Sequence, residues 1–220
     1  MNTNTSSPTA TPPRVSAALT FKITSSLSFG ADHVQTLGPN YIIAHNRPPK
    51  RPTAQANASF QRAAEGGVPP YTYSSSDPRI AVVDQDGKVV AASAGTARIL
   101  VTDSAGTQTS YAITFRGVVR KVYRRDGIYW PVPASNGWRP EHHALTRAQM
   151  RLFWLQYKDE APNLSVPQIL GWPNTGYWSA DNWLGGGSAY AVALNQITPN
   201  FSGYLATGGT VLPSISRTGW

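Results

Sequence analysis

Residues 66–115 read GGVPPYTYSSSDPRIAVVDQDGKVVAASAGTARILVTDSAGTQTSYAITF, and the punctuation of this stretch decides the fold. Turn signals recur roughly every 8–12 residues, at Ser76-Asp77-Pro78, at 84–87 (DQDG), at Ala94-Gly95 and at Ser104-Ala105-Gly106. Between them lie short runs rich in β-branched and aromatic residues, 71–74, 80–83, 88–92, 96–103 and 109–115. Short strands at this spacing are the pattern of an antiparallel sandwich. Asp-Gly at 86–87 is a hairpin signal, because a two-residue turn needs a residue that accepts positive φ.

Upstream, 58–63 reads as a further strand, and 18–23, 27–29 and 41–44 as shorter ones. Residues 46–52 (NRPPKRP) form a proline-stiffened basic loop that no central strand accommodates. Residues 1–14 are Ser, Thr, Asn and Pro with almost no apolar content, a flexible arm too poor in burial to order itself. The 220 residues suffice for one large domain or two small ones. With no cysteine, burial alone must hold each domain.

Tyr73-Ser74-Ser75-Ser76, Pro78, Ala81-Val82-Val83, Asp86-Gly87-Lys88-Val89 and Ala94-Gly95-Thr96-Ala97 with Ile99 and Val101 together resemble a bacterial immunoglobulin-like domain of group 2. That module is repeated in invasin- and intimin-type adhesins. The resemblance implies a spacer sandwich, not a catalyst. The sandwich is expected over residues 15–116, with 15–56 supplying its first strands.

Residues 116–145 form a basic, turn-rich junction, in which 118–123 is a strand candidate, Asp126-Gly127 a turn, and 128–130 a strand pairing back. One convincing helix follows at 144–157, with Leu145, Ala148, Leu152 and Leu155 at helical spacing and Met150, Phe153, Trp154 and Tyr157 widening the apolar face. Thr146 with Gln149 three residues on is a capping-box pair. Then come 166–170 (VPQIL), the aromatic loop 171–183 (GWPNTGYWSADNW), an alternating strand 188–195 (SAYAVALN) and a terminal strand 210–216.

The helix, Trp172-Pro173, Tyr177-Trp178-Ser179 and 188–194 resemble the C-type-lectin-like terminal domain of intimin and invasin relatives. The expected fold class is therefore mainly β: an immunoglobulin-like sandwich, then a small α+β C-type-lectin-like domain over 117–220 with its linker. The resemblance implies a non-catalytic adhesin binding a cell-surface glycan or protein. Trp154, Phe153, Trp172 and Trp178 are assigned to the core. Asn174, Tyr177, Asp181, Asn182 and Trp183 are the candidate ligand-binding residues, because a flat ring beside amides suits a sugar face or a protein hot spot. No metal or cofactor is expected. The calcium-lectin tripeptides are only echoed, and Asp181 is the sole acid beyond Glu160, whereas calcium requires several oxygen ligands.

The net charge of +8 suggests an anionic surface polymer as a further partner, through Arg47, Lys50 and Arg51. Glu141-His142-His143 offers no metal site, since adjacent side chains on an extended segment diverge. No nucleophile elbow or phosphate loop is present, and the terminal acids are too sparse for a carboxylate pair, so no enzyme is expected. No apolar run is long enough to span a membrane, and residues 1–13 lack the basic start and apolar core of a signal peptide. Two settings follow: a surface adhesin exported by a non-classical route, or a bacteriophage virion component, tail or capsid decoration, in a homo-oligomeric or virion assembly.

Overall fold

The structure, a computed structural model, describes residues 25–129, 144–181, 189–206 and 210–217. The expected arm 1–14, the strand 18–23 and junction residues 130–143 lie outside these. A four-stranded sheet has the order β1-β8-β7-β4, built from β1 (His33–Thr36), β4 (Thr72–Ser75), β7 (Gly95–Thr102) and β8 (Gln108–Arg116). A three-stranded sheet has the order β3-β6-β5, from β3 (Ser59–Gln61), β5 (Ala81–Val83) and β6 (Lys88–Ala91). Alternation sends Ala97, Ile99 and Val101 of β7 and Tyr111, Ile113 and Phe115 of β8 into one core with Val89 and Ala91 of β6. This is the sandwich the turn spacing foretells.

The turns are held by the residues that announce them. Gly87 has φ +73°, and a Cβ there would stand 2.3 Å from the Arg62 carbonyl. Asp84 Oδ1 accepts from the Asp86 and Lys88 N–H groups at 3.0 and 2.9 Å. In the β7–β8 turn, Asp103 accepts backbone N–H bonds from Val68, Ala105 and Thr107. Burial alone would raise the Asp103 carboxyl, but these donors outweigh it and hold its pKa below the ordinary value. The strand β1 has no strong sequence signal and was not expected. It pairs parallel to β8, His33 opposite Ile113.

The third sheet has six strands in the order β12-β11-β10-β13-β9-β2. Its members are β2 (Tyr41–Ala44), β9 (Val119–Tyr129), β10 (Tyr177–Trp178), β11 (Ala189–Val192), β12 (Tyr204–Ala206) and β13 (Val211–Arg217). The expected turn at Asp126-Gly127 does not form, and β9 runs straight through it. Against β13, Arg125 lies opposite Ser214 and Ile128 opposite Leu212, so two β9 residues face Pro213 alone. The extra residue is absorbed as a bulge beside the one β13 residue that has no N–H to donate.

Helix α1 (Arg147–Tyr157) covers one face of this sheet, and α2 (Val166–Leu170) follows. Both begin with capping boxes. Thr146 accepts from the Gln149 N–H while the Gln149 side chain accepts from the Thr146 N–H, and Ser165 and Gln168 do the same. Met150, Phe153 and Tyr157 form the core face of α1, with Ile42, Val122, Tyr177, Val192 and Ile215 opposite. The spacing of Leu145, Ala148, Leu152 and Leu155 pointed to another face. Leu145 precedes the helix, and the other three line a groove of about 640 Å³ against Pro39 and Ala56.

Strand β2 joins the two halves, though it falls in the range expected to close on itself as a sandwich. It pairs parallel to β9, with Tyr41 opposite Val119 and Ala44 opposite Val122. All four of its residues are buried. Tyr41 and Ile43 enter the sandwich core, while Ile42 and Ala44 enter the core beneath α1. The Tyr41 hydroxyl donates to the Ala91 carbonyl at 2.8 Å, tying β2 to β6. On the other side, the Tyr157 hydroxyl accepts from the Ala44 N–H at 2.8 Å and donates to the Arg47 carbonyl at 2.7 Å. Burial, chiefly, raises the Tyr157 phenol far above its ordinary pKa, so it keeps the proton it donates.

Candidate ligand-binding surface

Of the five sequence-proposed site residues the structure describes Asn174, Tyr177 and Asp181, and it gives each a different setting. Tyr177 is fully buried in β10, and its hydroxyl donates to the Pro173 carbonyl at 2.8 Å. A ring with no exposed surface touches no ligand, so Tyr177 is a core residue. It points toward α1, whereas Trp178 points into a small cluster with Ala191, Ala206 and Leu212 on the opposite face. Trp172 is half-buried, stacked on Phe153 with centroids 5.7 Å apart. Asn174 is exposed, and its Oδ1 accepts from the Ser165 hydroxyl at 2.7 Å, bracing the start of α2. Asn182 and Trp183 lie outside the described residues.

Asp181 is a clamp. Its Oδ2 accepts from the Arg147 backbone N–H at 2.6 Å and from Arg147 Nε at 3.1 Å, and the Ser179 hydroxyl also donates to it. Arg147 in turn donates to the Ser202 carbonyl and lies over the Tyr190 ring at 4.2 Å. Burial acts to raise the Asp181 carboxyl. The Ser179 hydroxyl, the Arg147 N–H groups and the Arg147 charge outweigh it and hold the pKa below the usual carboxylate value. One acid thus fixes the start of α1, the end of the 171–181 loop and the 200–203 turn. All three of these bonds fall on Oδ2.

The basic loop is also partly committed to the fold. Arg47 pairs with Glu160 at 3.7 Å, and Glu160 Oε1 accepts from the Lys50 N–H at 2.7 Å. Asn46, Lys50 and Arg51 are exposed there, and 41% of the Arg47 side chain remains accessible. Among the described residues, no group of three or more His, Asp or Glu stands close enough to hold a metal.

Trp154, which the sequence assigned to the core, is half-buried and packs against that core from its margin. It sits one position past Phe153, about 100° around the helix, at the margin of the buried face. It lines a cleft of about 470 Å³ with Arg151, Pro199, Asn200 and Phe201. Phe201 stands edge-on to its ring at 5.7 Å and 61°, and the Lys158 ammonium lies 5.8 Å from its centroid. Its indole N–H is shielded from water without a hydrogen-bond partner among the described residues. The signal was available: Met150, Phe153 and Tyr157 alone complete the i, i+3, i+7 core stripe, and Trp154 is surplus to it.

Comparison with known proteins gives first a class. Residues 55–105 match the sequence family described as the intimin immunoglobulin-like domain. In fold class the chain is mainly β, this immunoglobulin-like sandwich followed by a six-stranded sheet with two helices. Particular proteins follow. Among solved structures, the chain is similar to an intimin mutant of EHEC O157:H7, at 16% identity over 82% of this chain and 88% of that one, TM-score 0.44. It is also similar to intimin in an intimin–Tir90 complex, at 17% identity over 80% and 87%, TM-score 0.41. Invasin, described as a bacterial integrin-binding protein, matches at 15% identity over 81% of this chain and 34% of that one, TM-score 0.33. No curated protein matches the sequence.

Proposed function

We propose that the chain is a non-catalytic attachment protein that binds a surface glycan or protein through the outer side of its α+β domain. The sandwich of intimin type serves as a rigid support, and the reading places the protein outside the cell. No helix among the described residues is long and apolar enough to cross a membrane. The observation that carries the reading is the Trp154–Phe201 cleft, where a half-buried indole, a second ring and two cations, Arg151 and Lys158, meet beside the 198–202 loop. Indole and guanidinium groups at the rim of an apolar cleft are the chemistry of interface hot spots, and an indole face equally suits a sugar ring. The exposed Asn174, together with Asn182 and Trp183, remains proposed as a second contact.

The test is binding of the full chain to a glycan array and to cell surfaces, for wild type and for Trp154→Ala, Arg151→Glu and the pair Asn182→Ala, Trp183→Ala. Circular dichroism monitors folding throughout. At least tenfold weaker binding for Trp154→Ala and Arg151→Glu, with the far-UV spectrum kept, is expected. Full binding by both moves the site away from the cleft. A loss only in the Asn182, Trp183 pair assigns it to those two residues.

A further inference from the structure

A second groove, of about 470 Å³, lies where the sandwich meets the six-stranded sheet, away from the Trp154 cleft. Its floor and walls are apolar: Ile43 of β2, Pro48, Pro78, Val82 of β5 and Ala92. Val82 points outward with 38% of its surface exposed. Besides the Asn46 amide, three nitrogen-bearing side chains stand around this floor, Lys121 of β9, Arg79 and His45, and no carboxylate lines it.

Each is held in place differently. The His45 ring stacks on Tyr123 with centroids 4.3 Å apart, and its Nδ1 is hydrogen-bonded to the Tyr123 hydroxyl at 2.8 Å. The guanidinium of Arg79 is oriented by Asp77 through two bonds of 2.9 Å, which occupy Nε and Nη2 and leave Nη1 without a partner among the described residues. Lys121 is fixed by its backbone, paired with Ile43 across β2–β9, while its ammonium has no ion pair among the described residues. The groove thus offers one unneutralised ammonium and one oriented guanidinium edge around a space large enough for an apolar side chain.

We infer that this groove binds an acidic peptide segment of a protein partner, one that carries an apolar side chain between carboxylates. Charge complementarity selects an anion, since the Lys121 ammonium meets no acid in the groove and Arg79 keeps one guanidinium edge beyond its pair with Asp77. The arrangement selects a peptide over a polyanionic chain. A sulfated glycan or nucleic acid is bound by a row of cations tracking a repeating charge. Here the cations bracket an apolar floor that a polyanion leaves unfilled. The apolar side chain fills the space over Ile43 and Val82, and its neighbouring carboxylates reach Lys121 and Arg79.

The experiment is fluorescence anisotropy of the full chain with three labelled probes. One is an acidic peptide of Glu and Asp with a central Leu-Phe pair, the second has that pair replaced by Ser-Ser, and the third is a heparin octasaccharide. The Leu-Phe peptide is expected to bind at least tenfold more tightly than the Ser-Ser peptide. Lys121→Glu and Arg79→Gln are each expected to weaken it at least fivefold. Arg79→Gln lies on an exposed turn and keeps the sheets intact, so it reads binding even if Lys121→Glu disturbs β9. Trp154→Ala leaves this binding unchanged, which separates the groove from the cleft above. Equal binding of the two peptides, tighter binding of heparin, or no loss with Arg79→Gln overturns the proposal.

Discussion

Replacing Tyr157 by Phe removes one oxygen and tests whether the two halves of the molecule unfold as one. The hydroxyl is fully buried and serves two backbone groups, accepting from the Ala44 N–H and donating to the Arg47 carbonyl. The Ala44 N–H lies in a wholly buried strand, so losing its partner costs about 1–3 kcal/mol. The Arg47 carbonyl belongs to a half-buried loop residue, and its lost bond adds about 0.5–1.5 kcal/mol. The sum is about 1.5–4.5 kcal/mol, or a fall in Tm of about 3–18 °C for a chain of this size. All seven tryptophans lie at or beyond residue 130, so their fluorescence reports the second half alone. Hydrogen exchange of β7 and β8 amides reports the sandwich. Because β2 belongs to both cores, Tyr157→Phe is expected to lower the urea midpoint seen by tryptophan and to speed exchange in β7 and β8 together. A shift confined to the tryptophan signal, with β7 and β8 exchanging as in wild type, would refute the shared strand as a coupling element.

Asp181 has a depressed pKa in the folded state, so its contribution is present above the unfolded carboxylate value, about 3.9, and is lost as pH falls through the folded value. Asp181→Asn is expected to be less stable than wild type at pH 7 and to converge with it in acid, as read from urea midpoints across pH. Gly87→Ala forces a side chain into φ +73° and to within 2.3 Å of the Arg62 carbonyl. A loss of about 1–3 kcal/mol is expected, measured by thermal unfolding.

The sandwich was legible because its turns carry their own chemistry: Asp84, Gly87 and Asp103 bond within the turns they announce. The Thr146–Gln149 cap was legible for the same reason, since every partner lies within a few residues. What escaped depends on distant parts of the chain. The run Tyr41-Ile42-Ile43-Ala44 declares a strand buried on both faces, but not that the faces belong to different cores. Asp126-Gly127 has the local signature of a turn, and only Pro213 across the sheet makes it a bulge. At the site, Tyr177 has the loop-like neighbours of an exposed ring. The pairing of β10 between β11 and β13 zips it into the interior, and no local pattern announces that pairing.

The main chain passes between the two halves at β2 and again at β9, and the two passes lie side by side with four residue pairs in register. Parallel strands joined in this way resist sliding, since the bonds must give together rather than unzip one by one. A load on the six-stranded half therefore reaches the sandwich along a braced seam, without a swivel to take it up. The orientation of one half relative to the other is set when the chain folds.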